Sequence, residues 1–392
     1  MKNIFLLLLI LLIVIFTNLN ANLIELYKKG TIKLEPDPDF GKGVEWDSLF
    51  FDERKEIIVA SDGSIFVASS PTHNIFKFNN QGALIGTYGR KGNGPGDLYH
   101  PHCHSILDGK FLVIGEYALK RRISIFDFSG KCVKVLKTNH SCFGAVALKN
   151  NHVAYYTQKG GPGTKKGEFF NRASIIINNM NTGKEIQIDS YKLTSRHILL
   201  ETGGGIGTKF LGELYLHQTG DGNLLVGVSN SKDVKIYSPE GKLLKTFRLR
   251  MQPVPVTDDY FEETINSMLK SLQTSQMPSE IYKRLEKNIK KTVLNDLFGE
   301  YLPYYRQVLV DSEGNILFFK WLDCVGKANE VFQVYSPEGE FICETILDEN
   351  IYAWELEPNF KTITFTDKGI FGIFKLDKED DDHIRLVKVK VK

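Results

Sequence analysis

One hairpin, written twice, constrains this chain more than any other feature. Val234–Leu249 reads Val-Lys-Ile-Tyr-Ser-Pro-Glu-Gly-Lys-Leu-Leu-Lys-Thr-Phe-Arg-Leu, and residues 331–347 read Val-Phe-Gln-Val-Tyr-Ser-Pro-Glu-Gly-Glu-Phe-Ile-Cys-Glu-Thr-Ile-Leu. Each copy joins two apolar-rich runs through Ser-Pro-Glu-Gly. Proline at the second turn position presets φ near about −65°, and the glycine takes the left-handed conformation that closes a bulged turn. A hairpin that recurs along a chain predicts an architecture of like units packed side by side.

The rest of the sequence completes the unit. Short apolar runs flank tight turns at Asp62-Gly63, Asp108-Gly109, Asn150-Asn151, Asp221-Gly222, Glu313-Gly314 and Lys368-Gly369. Each turn supplies a glycine or asparagine where positive φ is needed. Hairpins follow the first five turns, at Ile75–Tyr88, Ile123–Leu136, Ala173–Ile188 and the two copies above. The last turn is followed by a single run, Ile384–Val391, and the strand it lacks is present as Thr31–Glu35. These units predict an all-β fold over residues 30–392: a six-bladed β-propeller closed by an N-terminal strand, because closure removes open sheet edges.

One segment departs from the repeat. Phe261, Ile265, Met268 and Leu272 recur at helical spacing, as do Ile281, Leu285, Ile289 and Val293 after Pro278. Thr257 with Asp258 and Asp259 starts the first helix, and Gly299 stops the second. The region 257–299 is therefore read as a helical insertion between blades four and five. Each helix has one apolar stripe, so the pair must lie on something; the Lys283, Arg284, Lys287, Lys290 and Lys291 side of the second is read as a solvated face.

Forty-nine basic residues against 47 acidic ones give a formal charge of +2, which implies no strongly basic surface and makes nucleic acid a poor default partner. Met1-Lys2-Asn3 precedes the apolar run Ile4–Phe16, with a small residue at Ala21. That is the pattern of a secretory signal peptide over residues 1–21, its apolar run shorter than the roughly 20 residues of a spanning helix; Leu19 in the cleavage box leaves an uncleaved anchor as the alternative. It predicts an exported protein (periplasmic, cell-surface or extracellular) with no membrane span after leader removal, acting as a monomer. Cys103, Cys132, Cys142, Cys324 and Cys343 match neither a zinc pattern nor a disulfide framework and are read as mostly buried thiols.

The segment Gly89-Arg90-Lys91-Gly92-Asn93-Gly94-Pro95-Gly96-Asp97-Leu98-Tyr99-His100-Pro101, followed by Asp108-Gly109, carries a resemblance. It resembles the junction motif of six-bladed propellers built from NHL-type repeats, a group of exported bacterial proteins: a G-x-G-P-G run, an acid, an aromatic or apolar residue and a later proline. Only the first junction keeps that pattern; Gly160–Phe170 echoes it inside a blade. The resemblance implies the propeller fold and, for function, either a binding module or a metal-dependent lyase. The Pro101-His102 step is similar to the metal-ligand step of the group's peptidyl-hydroxyglycine lyases, which use that histidine from three blades where this chain has it once.

In such a fold the short turns share one face, and the long segments Gly89–His104, Gln158–Arg172, Asp189–Gly212 and Arg250–Arg306 share the other, which is read as the binding face. His100-Pro101-His102-Cys103-His104 is the sharpest local cluster. Alternate strand residues point one way, but they span about 13 Å and cannot all reach one ion at about 2.1 Å. Counting back from the Asp-Gly turns matches His104 with His217, and His102 with Glu56, Tyr215 and Gln307. These residues, with Arg196 on a long segment, are the candidate ligand-binding set. They are open to three readings: a metal site, a polar ligand-binding lining, or hydrogen-bonded structural histidines. No catalytic residue and no cofactor is implied by a motif; Gly203-Gly204-Gly205-Ile206-Gly207 lacks the setting of a phosphate loop and reads as a flexible corner. Arg196-His197 and Trp321 are open to ligand contact, but a solvated loop and the core are the favoured readings for them; Asp380-Asp381-Asp382 is a polar tip able to hold Ca²⁺. The leading expectation is a binding module for a small ligand, glycan or protein partner. A metal-dependent lyase or hydrolase with a His site at the channel mouth, and a structural or assembly protein of the cell envelope, are the alternatives.

Overall fold

Both Ser-Pro-Glu-Gly segments close the hairpins their sequence predicts. Gly241 N donates to Ser238 O (2.9 Å) and Gly339 N to Ser336 O (2.8 Å), with φ of +87° and +77° at the two glycines. The second requirement on these glycines comes from the neighbouring sheet. A Cβ on Gly339 would stand 2.4 Å from the Phe247 ring, and one on Gly241 2.6 Å from Ile188.

The computed structural model describes residues 22–49, 57–116, 121–162, 168–199, 205–207, 212–274, 279–290, 299–321, 329–349, 362–375 and 384–392. The expected leader and Asp380-Asp381-Asp382 fall outside them. The described chain opens with helix α1 (Leu23–Tyr27) and strand β1 (Thr31–Pro36). Sheet one is β2–β5 (Ile57–Val59, Ile65–Ser69, Asn74–Phe78, Leu84–Tyr88), and sheet two is β6–β9 (Pro101–Leu107, Phe111–Glu116, Arg122–Asp127, Cys132–Lys137). Sheet three is β10–β14 (Phe143–Leu148, His152–Pro162, Glu168–Asn179, Glu185–Leu199, Gly205–Gly207), and sheet four is β15–β18 (Leu214–Gln218, Leu224–Val228, Asp233–Tyr237, Leu243–Arg248). Helices α2 (Asp258–Thr274) and α3 (Ser279–Lys290) precede β19–β22 (Tyr305–Val310, Ile316–Lys320, Asn329–Tyr335, Phe341–Glu349) and β23–β25 (Thr362–Thr366, Gly369–Lys375, Ile384–Val391).

The six-bladed propeller is corrected at this point. β1 pairs antiparallel with β25 (Leu34 opposite Val391), supplying the strand the last unit lacked. Its other edge pairs parallel with β22, from Thr31 opposite Ile346 to Leu34 opposite Glu349. The last two units thereby fuse into one eight-stranded sheet, ordered β19-β20-β21-β22-β1-β25-β24-β23. The fold is all-β, with four propeller-like sheets and one eight-stranded sheet. A strand has two hydrogen-bonding edges, and leaving either open is a liability. A repeat in the sequence reports the units but not which strand is shared between them.

The first strands stand side by side, β2 against β6, β6 against β10, β10 against β15 and β15 against β19, and β23 touches β2. The core lies between neighbouring sheets rather than within them. Phe66, Leu98, Ile114 and Phe126 fill the space between sheets one and two, and Leu225, Phe247, Tyr305 and Phe318 that between sheet four and the eight-stranded sheet. Helix α1 docks on the large sheet, where Tyr27 is fully buried and donates to Asp311 Oδ2 (3.0 Å). Gly205–Gly207, expected as a flexible corner, forms the edge strand of sheet three. Cys132, Cys142 and Cys343 are thiols; the Cys103 side chain and Cys324 lie outside the described residues. No helix among the described residues is long and apolar enough to cross a membrane.

Candidate functional site at the loop-rich end of the sheets

The tight turns occupy one end of the strands, and the long connections leave from the other. At that second end the helical pair has a definite seat. Tyr260 of α2 and Ile289 of α3 bury Trp321 and Leu302, with Val254, Val256, Phe261, Ile265 and Leu269 packed around them. Burying two aromatic residues in one small cluster is a large share of what holds the pair down. Trp321, only 8% exposed, takes the core role that the sequence favours for it over ligand contact. Helix α3 reaches β13, so excursions from different sheets converge. Its Leu285 and Ile289 face inward while Lys283, Arg284 and Lys290 are exposed, as expected; Ile281 departs from the expected stripe at 48% exposure.

Beneath the helices lies a group that periodicity does not reveal. Arg306 and Glu330 form an ion pair with side chains only 5% and 6% exposed. Burying two charges costs several kcal/mol, at order-of-magnitude level, unless they are well paired. Tyr215 OH lies 2.5 Å from the Arg306 carbonyl oxygen and 3.0 Å from Glu213 Oε2. Burial, and then the Glu213 carboxylate, push the Tyr215 phenol well above its ordinary range. Tyr260 is likewise raised by burial, with the Arg306 charge acting in the opposite direction. Tyr215 is thus a fixed hydrogen-bonding group.

Of the predicted set, Tyr215 and Gln307 are brought together, since Tyr215 bonds the carbonyl next to Gln307. His217 is half-buried in β15, opposite Leu225, and the surrounding protein lowers its pKa to about 4, so the ring is neutral near pH 7. His102 and His104 lie on β6 and Arg196 on β13 opposite Glu168, with their side chains outside the described set; Glu56 is outside it altogether. Among the described residues, no group of three His, Cys, Asp or Glu side chains is placed to hold a metal ion.

The match of His104 with His217 is corrected by the ladders. In sheet four, Gly222 N donates to Thr219 O, and in sheet two, Lys110 N donates to Leu107 O, so Thr219 and Leu107 are equivalent. Counting back two positions from each sets His217 against Ser105, while His104 falls at the position of Leu216. The Asp-Gly pair sits one residue earlier in the sheet-two turn, and a slip of one residue exchanges the faces of a strand. A bulge between Pro101 and Cys103 places His102 at an irregularity, as Arg306 is between Tyr305 and Gln307.

The glycine-rich junction is fastened from below by residues that no motif flagged. Glu116 is fully buried and accepts from Arg122 Nε (2.5 Å), Arg122 Nη2 (2.9 Å), Ser124 Oγ (3.2 Å) and Tyr99 N (2.8 Å). The remaining guanidinium donors reach the carbonyls of Asn93 and Asp97, both at 2.9 Å. Asp97 closes the loop on itself by accepting from Arg90 Nε (3.0 Å) and Gly94 N (2.8 Å), which lowers its pKa. The acid of the motif is therefore a loop-closing residue. An inward-facing acid at the end of β7 followed by an arginine at the start of β8 was the available sequence signal.

No protein-family model matches the chain, and no curated protein matches it. Among solved structures, a Bacteroides fragilis protein named only for its inferred export overlaps 93% of this chain and 99% of its own at 11% identity, with a TM-score of 0.49. A member of the duf4221 family from Bacteroides vulgatus (12% identity, 92% of this chain and 96% of its own, TM-score 0.46) and a streptogramin B lyase (12%, 92% and 97%, 0.45) overlap similarly. At these values the likeness assigns neither a family nor an activity.

Proposed function

We propose that the protein is an exported binding module that recognises a small ligand, a glycan or a protein partner on its loop-rich face, with α2 and α3 forming one wall of the site. The observation that carries this reading is the seat of the helical pair. It rests on Trp321 and Leu302 and reaches β13, so segments far apart in the chain meet at the end of the sheets where Tyr215 bonds the carbonyl beside Gln307. The buried Arg306–Glu330 pair and the Tyr215 bond to the adjacent carbonyl hold the β19 end of that rim in place. A rim of fixed polar groups on strands, walled by long connections, suits recognition. Arg196, on β13, is the cation this reading assigns to the rim.

Glycan and peptide arrays probed with the purified protein test this. The expected result is a bound probe whose affinity falls about tenfold on Gln307→Ala or Arg196→Ala, the loss of one good polar contact, and is unmoved by Glu240→Ala at the turn end. A probe lost on Glu240→Ala and insensitive to both rim changes would place recognition at the wrong end of the sheets.

A further inference from the structure

Between sheets one and two, the same face carries three rings packed on one another that the proposed function does not use. His73, in the loop from β3 to β4, stacks on Tyr99 (centroids 5.4 Å apart, 21° between planes) and meets His100 edge-on at 4.5 Å. Tyr99 meets His100 edge-on at 4.6 Å. Three backbone groups of the opposing loop are each held by a different side chain. Tyr99 N donates to Glu116 Oε2 (2.8 Å), His100 N donates to His73 Nδ1 (3.1 Å), and Pro101 O accepts from Ser70 Oγ (3.0 Å). The His73 loop is itself braced by Thr72 Oγ1, bonded to Ser69 Oγ (2.6 Å) and Asn74 Oδ1 (2.7 Å).

The bond at His73 Nδ1 settles the chemistry of that ring. An Nδ1 that accepts from a backbone N–H belongs to a neutral imidazole whose proton is on Nε2, so Nε2–H is a donor. His73 is only 8% exposed, and none of its hydrogen bonds to described residues uses that donor. A metal on Nε2 would require the proton on Nδ1, facing the His100 N–H, so ligation is disfavoured here. Burial lowers the His73 pKa, and the His100 and Lys91 charges push it the same way. The carboxylate nearest this frame, Glu116, is already paired with Arg122. A donor on a nearly buried ring, packed against a second imidazole and within reach of the Lys91 charge, suits a negatively charged acceptor.

We propose that His73, His100 and Lys91 form an oxyanion site, with His73 Nε2–H donating to a carboxylate or phosphate group and His100 and Lys91 supplying further donors and charge. This site stands whether or not the rim walled by α2 and α3 proves to be a recognition surface. The test follows the histidine side-chain NMR signals of the purified protein while inorganic phosphate, or separately acetate, is raised to tens of millimolar at constant ionic strength and slightly alkaline pH. Saturable shifts of the His73 and His100 signals are expected with at least one of the two anions. Affinity should fall about fivefold in Lys91→Gln, the scale of one exposed charge contact, because that change leaves the bonds at His73 intact. Loss of the response in His73→Phe assigns the signals. Saturation by phosphate alone, or by acetate alone, identifies the anion class. Unmoved signals with both anions, or equal affinity in wild type and Lys91→Gln, would overturn the assignment.

Discussion

Replacing Arg122 by methionine tests how the glycine-rich loop is held. The change removes every cation from a carboxylate with no exposed surface: Glu116 keeps only Ser124 Oγ at 3.2 Å and Tyr99 N at 2.8 Å. Breaking a buried pair from one side costs about 3–5 kcal/mol, because the stranded charge cannot be rehydrated. The loop loses less, since the Asn93 and Asp97 carbonyls released with the guanidinium lie near the surface, where water replaces the bond at about 1 kcal/mol or below each. Two readouts separate these effects. In urea unfolding, Arg122→Met should be destabilised by about 3–5 kcal/mol, and Glu116→Leu with Arg122→Met should recover most of that, leaving about 1–2. Limited trypsin digestion at Arg90 and Lys91 should accelerate in both the single and the double variant, because neither retains the anchor. A single variant within about 1 kcal/mol of wild type, or loop cleavage unchanged in either, would refute the clamp.

Three further outcomes follow from the same geometry. His217 has its folded pKa lowered to about 4, so its contribution is complete above the unfolded value and is lost as pH falls from about 6.5 through 4. The full shift corresponds to about 3 kcal/mol, which partial exposure screens toward about 2, so wild type should lose about that much more stability than His217→Gln between pH 7.5 and 4 in denaturant unfolding; equal losses would refute it. Gly339→Ala should cost about 2–4 kcal/mol, combining positive φ with a methyl driven into Phe247, whereas Gly183→Ala, at φ +70° with open space beside it, should cost about 1–2; thermal unfolding compares them. Trp321→Ala should release α2 and α3 to proteolysis while the sheets keep their far-UV signal, because the seat is a cluster of its own rather than part of the intersheet cores.

Much of the fold is readable in the residues because hairpin chemistry is local. The Ser-Pro-Glu-Gly turns, the strands flanking Asp221-Gly222 and Glu313-Gly314, and the helices at Asp258–Thr274 and Ser279–Lys290 all form where turn residues, alternation and helical spacing put them. Even the pairing of Thr31–Pro36 with Ile384–Val391 follows from counting strands. What counting misses is the second edge of β1, occupied by β22. That partnership depends on where two sheets come to lie, and nothing in the six residues of β1 encodes a parallel neighbour.

The site was less legible, and the reason is a single residue. Asp108-Gly109 and Asp221-Gly222 look like the same turn, yet their φ values differ: Asp108 and Gly109 are both positive, at +50° and +64°, while in the other turn Gly222 alone is, at +77°. The ladders show that the residue equivalent to Gly222 is Lys110, so a chemical match of the turns is offset by one from the structural match. Because side chains alternate along a strand, an offset of one matters: it sets Ser105, not His104, at the register position of His217. Ser105 takes the matching place, and its Oγ accepts from Ala147 N (2.7 Å) to tie sheet two to sheet three. A change that lengthened the sheet-two turn by one glycine after Gly109 would lend it the glycine spacing of sheet four without moving β6. The Ser105–Ala147 bond would then survive, and the unfolding free energy from denaturant titration should stay within about 1 kcal/mol of wild type, the usual tolerance of an exposed turn. A larger loss, or a β6 that slips to bring His104 into the place of Ser105, would show that turn chemistry rather than the intersheet core sets the register.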